Sequence, residues 1–96
     1  MSYKAPTELG KAIEEFFIRF GYENEYLKGR VINEWKDVVG DLIAENCVIK
    51  SFDGNILTLK TESSVWKSEL FYRKKEIIEK INSRYNKKIV SDIRID

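Results

Sequence analysis

The 96-residue chain is long enough for one hydrophobic core and too short for two, because a domain of this size buries only about 60–70% of its unfolded surface. Hydrophobic residues at 43% offset the entropy of ordering, charged residues at 34% keep the fold solvated, and the net charge is only +1. The absence of histidine removes the commonest general base and metal ligand, while an unpaired Cys47, no bilayer-length apolar run and no secretory apolar region after Met1 predict a cytoplasmic, non-enzymatic protein.

Pro6-Thr7 followed by Glu8 reads as a helix entry, and Leu9, Ile13, Phe16, Phe17 and Phe20 then share one face before Gly21 ends the helix. Residues 1–5 before it are expected to be a flexible N-terminus. Asn24 is the expected cap of a second helix, whose Leu27, Val31, Trp35 and Val38 form a stripe closed by Gly40. Leu42, Ile43 and Ala44 add a further helical turn. Cys47 to Phe52 is short and β-branched, and Asn55 to Thr61 alternates behind it with Leu57 and Leu59 on one face. With Asp53-Gly54 as the turn, these two segments predict a β-hairpin.

Ser63 or Ser64 caps a long helical segment through Tyr85, with Trp66, Leu70, Phe71, Ile77, Ile78, Ile81 and Tyr85 in a broad stripe. Lys74 falls inside that stripe, and a buried ammonium is costly, so the segment is expected to bend or divide near Tyr72-Arg73. Asn86-Lys87-Lys88 makes a polar turn into a last strand over 89–95. The order α-α-β-β-α(α)-β, free of repeats and linkers, predicts a single α+β domain spanning 1–96. Its helices should lie on one face of a three-stranded sheet made by residues 46–52, 55–61 and 89–95.

Charge is uneven along the chain. Residues 1–50 carry a net −2 and residues 51–96 a net +3, and the excess lies between Lys67 and Lys88. There Lys67, Arg73, Lys74, Lys75, Lys80, Arg84, Lys87 and Lys88 face only Glu69, Glu76 and Glu79. They form a candidate nucleic-acid-binding surface, weak and salt-sensitive, beside the plainer reading of a solvated helix with ion pairs such as Glu76 with Lys80. A sequence pI near 7.8 limits what that surface does without a partner. Trp35 and Trp66 lie on apolar stripes and read as core residues, each indole N–H finding a partner near the rim. Tyr3, Tyr22, Tyr26 and Tyr72 lie near helix ends or off the stripes and are the better stacking candidates. Glu14, Glu15, Glu23, Glu25, Glu34 and Asp37 form an acidic stretch able to face a basic partner. Adjacent Glu14 and Glu15 point about 100° apart on a helix, and Cys47 has no histidine beside it, so neither marks a catalytic site. No Walker loop, GxGxxG or metal-spaced cluster occurs, which predicts no cofactor and no structural metal.

Three stretches resemble one family: Trp35-Lys36-Asp37-Val38-Val39-Gly40-Asp41-Leu42-Ile43-Ala44, a hairpin with Asp53-Gly54-Asn55-Ile56-Leu57, and Ser63-Ser64-Val65-Trp66-Lys67-Ser68-Glu69-Leu70. Together with the terminal Ile93-Arg94-Ile95 they follow the order of the DciA family over roughly residues 7–96. The resemblance implies a type II KH-like fold, binding to single- or double-stranded DNA, and a partner in the hexameric DnaB-type replicative helicase that the family helps to load. Two departures stand out: the chain ends at Asp96 without the basic tail of many members, and it carries no GxxG loop of the RNA-clamping KH kind. The alternative function is a KH-like module that binds RNA or a ribosomal assembly.

Overall fold

The sheet organises everything else. In the computed structural model, which describes residues 7–96, β1 (Val48–Asp53) pairs antiparallel with β2 (Ile56–Lys60), and β2 pairs parallel with β3 (Asp92–Ile95), so β2 is central. Asp53 is opposite Ile56, which makes the hairpin turn Gly54-Asn55 rather than the expected Asp53-Gly54. Gly54 takes φ 58°, a value glycine reaches without penalty and the one wanted at the first position of a tight hairpin turn. The pairing slips by one residue between Ile49 and Ser51, and Lys50 at that bulge pairs with the Asp96 carboxylate beyond β3. Residues 1–5 and Tyr3 lie outside the described residues.

Six helices accompany the sheet among the described residues: α1 (Thr7–Arg19), α2 (Glu23–Asn33), α3 (Trp35–Val39), α4 (Asp41–Asn46), α5 (Ser64–Tyr72) and α6 (Lys74–Arg84). The fold is α+β in the KH-like order expected. Its core is formed by Val31 of α2, Leu70 of α5, Ile77 and Ile81 of α6, and Leu57, Leu59 and Ile93 of the sheet, all fully buried. Removing one such side chain to alanine typically costs about 2–5 kcal/mol.

Several local details differ from the sequence reading. The expected second helix is interrupted at Glu34, although the bonds Glu34 N to Arg30 O (2.8 Å) and Val38 N to Glu34 O (2.9 Å) carry the turn across. The stripe therefore survives the break, with Leu27, Val31, Trp35 and Val38 all buried. Tyr22, not Asn24, stands at the cap position of α2, without a side-chain bond. Gly40 closes α3 at φ 87°, as its position predicts. Ser63 caps α5 by accepting from the Trp66 amide at 3.2 Å, and the long segment does divide, at Arg73. The division resolves the problem posed by Lys74, which becomes the first residue of α6 and sets its ammonium 4.9 Å from the Phe71 ring centroid instead of in the core.

The third strand is shorter than 89–95. Ile89 and Val90 are buried but unpaired with the sheet; their amides both donate to Asn82 Oδ1 (2.9 and 3.0 Å), and Asn82 Nδ2 donates to the Val90 carbonyl at 3.0 Å. One side-chain amide thus supplies what a strand neighbour would have supplied. Helix α1 departs most from expectation. It packs against α2, where Phe17 meets Tyr26 with ring centroids 5.4 Å apart, yet Leu9, Ile13, Phe16, Ile18 and Phe20 remain exposed. The Cα radius of gyration of 14.1 Å exceeds the roughly 12 Å of a compact domain this long, consistent with a helix that leans outward.

Candidate nucleic-acid interface

The eight expected cations follow the α5–α6 arm and the turn after it, but they do not form one free surface. Arg73, at the elbow between the helices, donates from Nε to Glu69 at 2.7 Å and lies 3.8 Å from Glu76, which also holds Lys80 at 3.2 Å. Arg84 reaches Glu34 at 3.2 Å, and Lys87 reaches Glu23 at 3.2 Å. The bland alternative of helix ion pairs therefore describes Arg73 and Lys80. Arg84 and Lys87 instead tie the arm to α2 and to the break that follows it. Lys67, Lys74, Lys75 and Lys88 have no carboxylate within 4.0 Å among the described residues.

Glu34 is the centre of the tie, and sequence reasoning placed it in an acidic patch instead. Its carboxylate accepts from Arg30 Nε (3.2 Å), from Arg84 Nε (3.3 Å) and from the Tyr85 hydroxyl (2.8 Å). Burial alone would raise the Glu34 pKa. The Tyr85 hydrogen bond and the two guanidinium groups outweigh it and hold the carboxyl below its ordinary range. Tyr85, partly buried beside that carboxylate, has its pKa pushed up from 10.0 to about 12 by that burial and by its bond to Glu34. The Arg30 guanidinium also lies 5.1 Å from the Tyr85 ring centroid. Nothing in the sequence reading marked this cluster, because a one-dimensional reading assigns Glu34 to solvent.

The aromatic candidates separate in the same way. Trp35 is buried and Trp66 packs partly buried against the core, as their stripes require. Contrary to expectation, Trp35 Nε1 finds no hydrogen-bond partner of good geometry, although the indole N–H lies near enough to the Cys47 thiol to oppose the rise that burial imposes on the thiol pKa. Cys47 is buried and donates to the Ile43 carbonyl at 3.4 Å. Tyr26 belongs to the α1–α2 contact and Tyr22 is exposed at the α2 entry. Tyr72, at the end of α5, is 83% exposed, and its neighbour Phe71 is 60% exposed although it was expected in the core stripe. Leu70 is the buried residue of α5, and successive helix positions step by about 100°, so Phe71 and Tyr72 point away from the face that Leu70 buries. No metal-ligating cluster occurs among the described residues, and no helix there is long and apolar enough to cross a membrane.

A protein-family model described as "Dna[CI] antecedent, DciA" matches residues 8–95. Among curated proteins, UPF0232 proteins of Mycobacterium tuberculosis and Mycobacterium bovis are 28% identical to this chain over 90 residues, and one of Mycobacterium leprae is 24% identical over 90 residues. Each alignment takes in 94% of this chain and 48% of the relative, so the chain spans about half the length of the curated relatives it matches.

Proposed function

The chain belongs to the DciA family, and from that premise we propose that it is a non-enzymatic adaptor of bacterial DNA replication that binds the DnaB-type replicative helicase and DNA. The observation that carries the reading is the family match across residues 8–95, which takes in every helix but the first residue of α1, and every strand. The family's description as an antecedent of the Dna[CI] proteins supports a role beside the helicase. The charge distribution supports the DNA half of the role. Lys67, Lys74, Lys75 and Lys88 are available to phosphates, while Arg73, Lys80, Arg84 and Lys87 hold the arm in shape and contribute longer-range field. Holding helicase and strand together raises the local concentration of one for the other, which requires no chemistry from the adaptor and no bound cofactor.

The test is co-elution of the purified chain with the host's replicative helicase on a sizing column, with and without single-stranded DNA, in low salt and without ATP. A complex is the expected result. Two folded proteins that elute separately under those conditions would defeat the adaptor reading and favour a KH-like module of an RNA assembly.

A further inference from the structure

Two large aromatic side chains stand in solvent at the α5–α6 elbow, next to Lys74 and Lys75, which no carboxylate engages among the described residues. Phe71 and Tyr72 meet edge to face, with ring centroids 5.8 Å apart and planes at 85°. Lys74 lies over Phe71 at 4.9 Å, so that ring has a neighbour on two sides, while Tyr72 is 83% exposed. Of the nearby acids, Glu69 and Glu76 are held by Arg73 and Lys80, which leaves Glu79 alone facing Lys74 and Lys75. Lys74 and Lys75 occupy the first turn of an 11-residue helix, where the macrodipole disfavours cations, so helix stability does not account for their position. The exposed aromatic pair Phe16 and Phe20 at the end of α1 packs ring against ring at 4.7 Å on a helix whose Glu8, Glu14 and Glu15 outnumber Lys11 and Arg19.

We propose that this elbow is a stacking site for an unpaired strand, with one base lying on Tyr72, Phe71 bracing that ring, and Lys74 and Lys75 holding the flanking phosphates. The proposal rests on the nucleic-acid-binding reading above and deepens it by naming an unpaired strand, rather than a duplex, as the ligand at this position. A duplex keeps its bases stacked within itself and offers an exposed ring only phosphates and sugars, whereas any unpaired base offers a π-face. Stacking does not read the 2′-hydroxyl, so DNA and RNA strands of like sequence bind alike at this site.

The experiment is fluorescence anisotropy of the whole chain in low salt. The probes are a labelled oligodeoxythymidine of about 20 nucleotides, its abasic counterpart, an oligouridine of the same length and a duplex of similar length. Phe71→Ala/Tyr72→Ala, at exposed positions, is expected to weaken single-strand binding about tenfold or more and to leave duplex and abasic binding within about twofold. Lys74→Glu/Lys75→Glu weakens all four ligands. Wild-type affinity of the aromatic variant for the intact single strand overturns the stacking site and leaves the basic surface standing. A strong preference for oligouridine also overturns it, since the sugar would then be what is read. A wild-type chain that binds none of the four overturns the nucleic-acid reading itself, and the stacking site with it.

Discussion

Glu34 shows how one side chain can do structural work that its class disguises. Three donors converge on its carboxylate from two parts of the chain about fifty positions apart, Arg30 on α2 and Arg84-Tyr85 at the end of α6. Charge-assisted bonds of this kind, partly shielded from water, are the stronger ones, and Glu34→Gln is expected to cost about 1–2 kcal/mol at neutral pH. The sign with pH follows from the direction of the shift. The folded-state pKa of Glu34 is depressed, so its contribution is present above the ordinary value of 4.5 and is lost as pH falls through the lowered value. Denaturant midpoints of the wild type and Glu34→Gln should therefore differ at neutral pH and converge in acid. Tyr85 acts at the other end of the scale. Its raised pKa keeps a contribution that is full below pH 10.0 and lost as pH rises toward about 12, so Tyr85 should ionise late in an absorbance titration of the folded protein. A gap between the two midpoints that persists unchanged in acid would refute this account of Glu34.

At the level of elements, the stripes of α2 with α3, of α5 with α6 and of the hairpin were legible, because burial on one face imposes a period that survives even where a helix breaks. The division at Arg73 was legible too, since Lys74 inside an apolar stripe is a conflict that only a change of direction removes. Local chemistry that acts through space was not legible. Asn82 reads as an ordinary polar helix residue, yet its amide satisfies both amides of Ile89-Val90 and so shortens β3, and the Gly54-Asn55 turn was displaced by one residue by strand register. The candidate site was half legible: the eight cations follow the segment the sequence assigns them to, but the partners of Arg84 and Lys87, Glu34 and Glu23, lie at the break after α2 and on α2, far off in the chain. The apolar period of α1 was read as a core signal, although nothing in a period says whether a partner belongs to the same chain. Because Phe16 and Phe20 are 57% and 59% exposed, Phe16→Ser/Phe20→Ser should cost less than about 1 kcal/mol, against about 2–5 kcal/mol for Leu70→Ala in the closed core. Urea unfolding of the two variants checks this. A Leu70-sized loss at α1 would mean that the helix folds back onto the core in solution.

At the scale of the whole molecule, the proposed function asks how a chain of net charge +1 would handle a polyanion. Affinity for nucleic acid depends on cations free to displace counterions, and the distinction between free and paired residues has a measurable consequence. For a single strand, the logarithm of the binding constant falls with the logarithm of salt concentration by about 0.7 for each phosphate neutralised. If all eight cations of the arm acted on phosphates, the slope would be about −6. If Lys67, Lys74, Lys75 and Lys88 act while Arg73, Lys80, Arg84 and Lys87 stay on their carboxylates, it would be no steeper than about −3. The shallower slope is the expected result from anisotropy titrations across a salt series, and Lys80→Ala should leave it nearly unchanged whereas Lys75→Ala should reduce it. A slope near −6 would mean that the strand pulls the arginines and lysines off Glu34, Glu69, Glu76 and Glu23. Binding would then come at the expense of the contacts that fix the arm to α2, and the wild-type fold would loosen as the DNA bound. The shallow slope instead leaves the arm rigid during binding, so that stacking at the elbow supplies the part of the affinity that salt does not remove.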